Sequence, residues 1–331
     1  MTSIHDVAAL AKVSIKTVSR VVNKAPNVSP ELRERVQAAI DQLGYRPNQS
    51  ARRLAGGRSF MIAFLYNNPA PGYVSRIQIG AAWRCRELGY HLVVEPISPG
   101  AEERFEVLER LVAALRPDGV LLVPPLSDDE GLLARLAEMN LPCARIAGSV
   151  DAPSFTIQTP EQAAGRMMAD HLIGLGHRRI GVITPPDTHH AALRRVEGFR
   201  EGLAAAGIAV DEALFVPGRF DFASGIEAGE TLLALPRPPS AVFATNDEMA
   251  LGVLTLAHRV GLRVPEDLSV TGFDDTTASL TSWPPLTTVR QPLEDMGRTV
   301  IEALASGPVD APEFQFTLIE RGSSGPPAKE G

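Results

Sequence analysis

The sequence contains few of the residues that disulfide scaffolds and thiolate metal sites require. Its two cysteines, Cys85 and Cys143, are far apart along the 331 residues, which argues against a disulfide framework and a paired-cysteine zinc site. It has no run of about 18 apolar residues, so no transmembrane helix is predicted, and its N-terminus lacks the apolar core of a signal peptide. These absences predict a cytoplasmic protein.

Motifs typical of common enzymes are also absent. The sequence has no GxSxG nucleophile elbow, no GxxxxGK[ST] phosphate loop and no HExxH zinc motif. The segment GLGHRRIG (174–181) has part of the glycine pattern of a dinucleotide-binding loop, but it precedes a strand and has Arg179 at the third glycine. The sequence therefore predicts neither an enzyme nor a cofactor, and no catalytic or metal-binding residue is expected.

Charge is divided unevenly along the chain. Residues 1–58 contain ten Lys or Arg and four acidic residues, a net charge of +6. The remaining residues contain 22 basic and 35 acidic residues, a net charge of −13. A small basic segment on an acidic body indicates a polyanion partner for that segment alone.

Capping signals predict three short helices in the basic segment. Ser3, Ser14 and Ser29 each precede an amphipathic stretch as an N-cap, Asp6 completes a capping box with Ser3, and Gly44 ends the third helix. About three residues separate the first two helices, which is the spacing of a helix-turn-helix.

The second helix, in VSIKTVSRVVN (13–23), has the faces expected of a helix that enters the major groove of DNA. Val18, Val21 and Val22 form an apolar stripe, while hydroxyl and basic side chains occupy the rest of the surface. Taken alone, this pattern also fits a small solvated helix with one packed side, so the surrounding sequence must decide.

The stretches IHDVAALAKVSIKTVSRVVN (4–23) and VSPELRERVQAAIDQLGYRPNQSARRLAGGRS (28–59) resemble the LacI/GalR family of bacterial transcription regulators. The resemblance implies a DNA-binding headpiece over residues 1–46, whose second helix reads bases from its N-terminal end. The DNA-contacting residues implied in and beside this helix are Ser14, Ile15, Lys16, Thr17, Ser19, Arg20 and Asn23. One departure is Lys12, where the family usually has glycine; an ordinary turn conformation is expected there.

The resemblance identifies residues 47–58 as a hinge that becomes helical on bound DNA. The segment QSARRLAGG (49–57) agrees with this role, because it is too short to form a stable helix in water and has one apolar side chain among arginines. Leu54 would insert between base pairs through the minor groove. The contacting residues implied here are Asn48, Ala51, Arg52 and Leu54. The alternative is a flexible linker.

The body of the chain alternates apolar runs with amphipathic stretches. One series includes FMIAFLY (60–66) and GVLLVP (119–124), and a second includes RIGVIT (179–184) and AVFATN (241–246). Such alternation predicts an α/β fold with two parallel sheets covered by helices on both faces. Ligands of open α/β sheets bind at the carboxyl ends of the strands, where polar residues here follow the runs abruptly.

Body stretches such as RRVEGFREGL (194–203) and VPEDLSVTGFDD (264–275) extend the family resemblance to residue 321. They imply the two-lobed fold of periplasmic sugar-binding proteins.

The two lobes together would form an effector-binding and dimerisation domain over residues 59–321. Its lobes would be 60–159 together with 290–321, and 160–289. Residues 322–331 are expected to form a flexible tail.

The family's pocket, carried over onto this sequence, places six residues around an effector. Asp274 and Asn246 can bind neighbouring hydroxyls, Arg195 can donate hydrogen bonds in a fork, and an aromatic ring can stack on a sugar. The six residues are Tyr73, Arg195, Phe220, Asn246, Asp274 and Trp283. Structural alternatives stay open: a buried ion pair between Asp274 and Arg195, and ordinary core packing for the two aromatic residues Phe220 and Trp283.

Two further stretches bear on the cleft. His189 and His190 are expected in a solvated loop more than in the cleft. Thr159 and Pro160 stand where the family commonly has an acid or an asparagine, so the ligand environment on that side is expected to differ.

The whole sequence predicts a sequence-specific transcriptional regulator, in the simplest case a repressor, that binds a pseudo-palindromic operator as a homodimer. A small molecule in the interlobe cleft, expected to be a mono- or disaccharide, would control it. The chain after Arg321 is too rich in Gly and Pro for the coiled coil that joins dimers in some relatives. The rival interpretation is an exported sugar-binding protein, which the basic head and the missing signal sequence disfavour.

Overall fold

A computed structural model describes residues 2–22, 27–45, 58–97, 102–307 and 309–328 of the chain. The chain divides into two compact units, Met1–Ser59 and Phe60–Gly331. Among the described helices, none combines the length and apolar character that a membrane span needs.

The smaller unit is built from short helices around one apolar core. Val18 and Val21 of the second helix are buried in this core, while Ile15, Lys16 and Arg20 on its other sides stay exposed. The helices described are α1 (Ile4–Ala11), α2 (Ile15–Val22) and α3 (Pro30–Leu43).

The predicted caps of these helices are confirmed. The hydroxyls of Ser3, Ser14 and Ser29 each accept a hydrogen bond from a backbone N–H in the first turn of the helix that follows. The Asp6 carboxylate accepts in return from the Ser3 N–H at 2.8 Å, and Gly44 ends α3 with a left-handed φ of 58°. Local sequence signals therefore fix the ends of these helices.

The turn between α1 and α2 differs from the expectation. Lys12 adopts a left-handed conformation, with φ 52° and ψ 49°, and its N–H bonds back to the carbonyls of Ala8 and Ala9. An ordinary turn conformation was the wrong expectation, because the chain can leave α1 in this direction only through a left-handed residue. This geometry favours glycine and strains a lysine.

The first lobe of the larger unit is a parallel sheet with helices on its faces. Its strands are β1 (Met61–Tyr66), β2 (His91–Pro96), β3 (Gly119–Leu122), β4 (Cys143–Ile146) and β5 (Phe155–Ile157). They lie in the order β2-β1-β3-β4-β5, and each pairs in parallel with its neighbour. The helices between them are α4 (Pro71–Leu88), α5 (Glu103–Leu115) and α6 (Glu130–Glu138).

The second lobe repeats this winding. Its strands are β6 (Ile180–Thr184), β7 (Phe215–Pro217), β8 (Ala241–Ala244) and β9 (Ser269–Thr271), in the all-parallel order β7-β6-β8-β9. Its helices are α7 (Glu161–Gly174), α8 (His190–Ala205), α9 (Phe222–Leu233), α10 (Asp247–Arg259) and the short α11 (Thr277–Thr281). The predicted α/β class with two parallel sheets is confirmed.

The chain then returns to the first lobe. β10 (Thr288–Arg290) pairs antiparallel with β11 (Thr317–Ile319), and between them α12 (Leu293–Ser306) packs against α4.

The segment after β11 corrects the expectation of a flexible tail beginning at residue 322. Ser323 is fully buried, and its carbonyl accepts from the Val270 N–H at 2.8 Å, while the Ser269 hydroxyl donates to the Gly325 carbonyl at 3.0 Å. The described part of this segment, to residue 328, therefore continues the second lobe beside β9, because the edge of that strand offers it backbone partners.

Candidate functional site

The carboxyl ends of the strands of both lobes face one cavity, which is called the inner cavity. The first lobe contributes Asn68, Ala70, Tyr73, Pro124 and Ala147, all without formal charge. The second lobe contributes the charged side chains.

The structure brings five of the six sequence-predicted effector residues to this cavity: Tyr73, Arg195, Phe220, Asn246 and Asp274. Trp283 is the exception. Its side chain is 80% exposed, and it borders a separate surface groove with Phe222 and Leu251. The expectation for Trp283 was wrong because α11 and the turn after it carry this residue out to the surface.

Arg195 is held by a residue that the sequence reasoning missed. Its Nε and Nη2 donate to the same carboxylate oxygen of Glu161, at 3.0 and 2.7 Å, and its Nη1 donates to the Thr245 carbonyl. Both side chains are buried. The ion pair considered for Asp274 and Arg195 is therefore made by Glu161. Thr159 and Pro160 were expected to make this side of the pocket differ from the family's acid or asparagine, and the carboxylate on this side comes from Glu161, at the start of α7.

Two glycines bring Glu161 and Arg195 together. A Cβ on Gly165 of α7 would lie 1.8 Å from the Arg195 carbonyl oxygen, and a Cβ on Gly198 of α8 would lie 1.8 Å from that of Gln162. The backbones of the two helices therefore touch. A side chain at either glycine would separate the helices, and with them the buried ion pair.

Asn246 and Asp274 occupy the ends of β8 and β9, in positions fixed by other hydrogen bonds. The Asn246 amide caps α10 by accepting from the Met249 N–H at 3.0 Å, and it donates to the Phe220 carbonyl at 3.0 Å. Asp274 accepts from the Gln291 amide at 2.6 Å. Burial raises the pKa of the Asp274 carboxyl well above its usual value. Both side chains can bind ligand hydroxyls without first having to be oriented.

His189 corrects a second expectation, because it lies in the cavity wall and not in a solvated loop. Only 6% of the residue is exposed, and its Nε2 has no hydrogen-bond partner among the described residues. Burial, followed by the charge of Arg195, lowers its pKa to about 4, so the ring is neutral at pH 7. Its ring meets the Phe220 ring edge to face at 4.8 Å between centres. Burial of His189 depends on tertiary packing, which its local sequence does not encode.

Tyr73 completes the inner wall from α4. Burial, together with the charges of Asp274 and Glu161, raises the pKa of its phenol, so the hydroxyl keeps its proton and can donate to a ligand. The cavity thus combines a phenol, an imidazole, a guanidinium, three amides and two carboxyls around the Phe220 ring.

A second cavity, which is called the outer cavity, lies beside the inner one. Two pairs of consecutive residues are divided between the cavities. Asn68 and His189 line the inner cavity, and their neighbours Asn67 and His190 line the outer one. The outer cavity also contains Arg104, which pairs with Asp129 at 2.8 Å.

The sequence-predicted DNA-contacting residues lie partly in the described smaller unit. Ser14 caps α2, and Ile15, Lys16, Thr17, Ser19 and Arg20 are on it. Asn23, Asn48, Ala51, Arg52 and Leu54 lie outside the described residues.

Family models match both units. Residues 3–48 match the bacterial regulatory proteins of the lacI family, and residues 169–324 match a periplasmic binding protein-like domain. The transcriptional regulator CelR of Thermobifida fusca is 38% identical over 306 residues, which cover 90% of this chain and 89% of CelR. The chain belongs to the LacI family. It is therefore a member of a family of transcriptional repressors and not an enzyme.

Solved LacI-family structures share this fold over nearly the whole chain. The complex of the regulator CelR with cellobiose is 33% identical and superposes with a TM-score of 0.73, covering 98% of this chain and all of that one. The lac repressor dimer bound to operator and an anti-inducer is 31% identical with a TM-score of 0.79, covering 98% and 99% of the two chains. The family resemblance predicted from the sequence is confirmed.

Proposed function

We propose that this LacI-family protein represses transcription in the cytoplasm by binding a pseudo-palindromic operator as a homodimer, and that a mono- or disaccharide in the cleft controls that binding. The observation that carries the proposal is the inner cavity. Donors and acceptors already held in place by other hydrogen bonds surround an aromatic edge, which suits the hydroxyl groups and CH faces of a sugar. The relative solved with cellobiose supports a sugar ligand.

On the DNA side, we propose that residues 1–46 form the headpiece and residues 47–58 the hinge. The net charge of +6 in residues 1–58 favours the DNA backbone, and exposed Ile15 and Lys16 at the start of α2 suit base contacts. Leu54 would act as the minor-groove wedge. The operator-bound lac repressor dimer supports this arrangement.

The homodimer is supported by large apolar side chains that each lobe leaves at its surface. Ile79 and Trp83 of α4 are 46% and 55% exposed, and Leu280 and Trp283 of the second lobe are 55% and 80% exposed. Exposed patches of this kind mark protein interfaces, and a two-fold dimer uses the same patch twice. We propose that these two patches meet their copies in the partner.

The ligand would act by its different affinity for two arrangements of the lobes. The second lobe would hold the ligand through the buried Glu161–Arg195 pair, Asn246 and Asp274. Binding would favour an arrangement in which Tyr73 and Asn68 of the first lobe close on the ligand. A coupling of about 1–3 kcal/mol between ligand and operator binding is typical of such a switch.

The test is a thermal-shift screen of the full chain with mono- and disaccharides, with purine bases as controls. We expect at least one sugar to raise the melting temperature and also to change operator affinity in a gel-shift titration. Stabilisation by a purine and by no sugar would contradict the proposed ligand class. Operator binding that does not depend on residues 1–58 would contradict the proposed function as a whole.

A further inference from the structure

Arg195 lines the cleft, but its strongest anion-binding edge is already used. Arginine binds carboxylates and phosphates best through two parallel N–H groups. The pair formed by Nε and Nη2 donates to Glu161, and Nη1 donates to the Thr245 carbonyl. The centre of the Phe273 ring lies 3.3 Å from the guanidinium carbon and covers one face. Two N–H groups remain, one on Nη1 and one on Nη2, and these can donate to the oxygens of neutral hydroxyls.

The charge of Arg195 is also compensated before a ligand arrives. The side chains of Arg195 and Glu161 are 6% and 4% exposed, so they form a neutral pair in a poorly solvated place. An anion that enters such a place loses its hydration and gains no unpaired positive charge in return.

The other groups that line the inner cavity do not offer an anion an unpaired positive charge either. Among the described residues there, no second Arg and no Lys is present, and His189 is neutral at pH 7. Two carboxyl groups, those of Glu161 and Asp274, face the same space. An anionic ligand would therefore meet carboxyl groups and no free cation.

The arginine of the outer cavity is also paired with a carboxylate. Arg104 is paired with Asp129 at 2.8 Å, and Asp128 lines the same wall. A phosphate or carboxylate at the far end of a longer ligand would find its cationic partner already bound there as well.

From these contacts we infer that Glu161 is a specificity-determining residue, which restricts the cleft to uncharged ligands and excludes sugar acids and sugar phosphates. The inference deepens the proposed function and rests on it, because it concerns the ligand of the same cleft. Glu161 acts by taking up the side-on edge of Arg195. The contact of α7 with α8 at Gly165 and Gly198 holds it there.

The experiment compares ring-matched neutral and anionic probes on the full chain by calorimetric titration. The pairs are glucose with glucuronate, glucose with glucose 6-phosphate, galactose with galacturonate, and ribose with ribose 5-phosphate. The set also includes the neutral sugar that gives the largest thermal shift, paired with the corresponding sugar acid and sugar phosphate. The proteins are the wild type, Glu161→Gln, and the charge-keeping control Glu161→Asp, each checked for folding by circular dichroism.

We expect the wild type to bind the neutral member of the responding pair at least about tenfold more tightly, a difference that corresponds to one buried charge without a partner. Glu161→Gln should reduce this ratio by about tenfold or more, because the guanidinium then keeps an uncompensated charge. Glu161→Asp should still exclude the anion.

A wild type that binds the anionic member as tightly as the neutral one overturns the inference, and this result does not depend on any variant. An unchanged ratio in a folded Glu161→Gln protein that still binds the neutral sugar also overturns it, while the proposed function stands. If neither neutral nor anionic sugars bind the wild type, the proposed sugar ligand fails first, and the inference fails with it.

Discussion

The two halves of the cleft are built on the same fold and do different work. Both lobes wind in the same order, with sheets β2-β1-β3-β4-β5 and β7-β6-β8-β9. The first lobe nevertheless presents only uncharged residues to the cavity, whereas the second presents the ion pair of Glu161 and Arg195, the Asp274 carboxyl and the neutral imidazole of His189. The difference therefore lies in the residues after the strands and not in the architecture. Under the proposed function, the second lobe would select the ligand and the first would close on it.

A pair of asparagines shows the same contrast in detail. Asn68, after β1, accepts from the Ala70 N–H at 2.9 Å and donates to the Pro124 carbonyl at 3.2 Å. Asn246, after β8, makes two similar bonds in its own lobe, but it is buried, whereas Asn68 is half-buried. Each asparagine ties together two loops at the edge of the cleft.

The largest effect is expected at the contact between α7 and α8, which positions the charged side chains of Glu161 and Arg195. Gly165→Ala puts a Cβ where the Arg195 backbone lies, so we expect a loss of about 3 kcal/mol in the unfolding free energy of the larger unit. Sugar affinity should fall as well, because Arg195 and Glu161 separate. Chemical denaturation and calorimetric titration measure the two effects.

Two glycines serve as controls for that experiment. Gly80→Ala creates a similar clash in the first lobe, with a Cβ 1.9 Å from the Glu294 carbonyl oxygen, so it should cost similar stability with a smaller loss of sugar affinity. Gly174→Ala, at the end of α7, meets nothing within 4 Å and should cost no stability. Equal losses of sugar affinity in Gly165→Ala and Gly80→Ala would contradict the division between the lobes.

The next largest effect is expected from replacing the two asparagines, which should lower the unfolding free energy by different amounts. Asn246→Ala leaves the Phe220 carbonyl and a helix N–H unpaired in the interior, so we expect a loss of about 2 kcal/mol in unfolding free energy. Asn68→Ala should cost about 1 kcal/mol, because Asn68 is half-buried and water can take the place of its side chain at the two backbone partners. Urea denaturation of both variants checks the order, and a larger loss for Asn68→Ala would reverse it.

A pH-dependent effect is expected at His189. Its pKa is about 4 in the folded chain against an ordinary value of 6.5, so the unfolded chain binds a proton in the window between these values and the folded chain does not. This contribution therefore destabilises the fold as the pH falls below 6.5. His189→Asn removes it, and between pH 7.5 and 5 the variant should lose about 1–2 kcal/mol less unfolding free energy than the wild type.

The control for this experiment is His190→Asn, which changes the exposed neighbouring histidine. It should follow the pH dependence of the wild type. The difference between variant and wild type is the quantity to compare, because the raised pKa values of Asp247 and Asp274 act in the opposite direction. If His189→Asn parallels the wild type across this range, the histidine is not buried as described.

The smallest effect is expected at Lys12, away from the cleft. Lys12→Gly relieves a left-handed conformation that costs a lysine more than a glycine, so the α1–α2 turn should become more stable by about 0.5–1 kcal/mol. Amide hydrogen exchange of α1 in the full chain measures this, with Lys12→Ala as the control that removes the charge and keeps the strain. Equal protection in both variants would show that strain is not the cause.

How much the sequence predicted depended on whether a signal was local. The caps at Ser3 and Ser29 and the alternation of apolar runs act over a few residues, so the helices of the smaller unit and the two parallel sheets were predictable. Glu161 and His189 reach the cavity through a helix crossing and through burial, which no short window of sequence encodes. Trp283 was misplaced for a related reason, because an aromatic residue suited to stack on a sugar does not show in which direction α11 and the turn after it carry its side chain.

The most direct test of the whole account is an operator titration of the wild type, of Asp274→Ala and of the exposed-site control Asp151→Ala, each with and without the sugar found by screening. Asp274→Ala removes a buried acceptor for ligand hydroxyls and leaves the DNA-binding unit unchanged. We expect the control to respond to the sugar as the wild type does and Asp274→Ala to lose the response. Its operator affinity should stay near normal if the sugar releases the wild type from DNA, and should be weak at every sugar level if the sugar promotes binding. A full response to the sugar in Asp274→Ala would contradict the placement of the effector in this cleft.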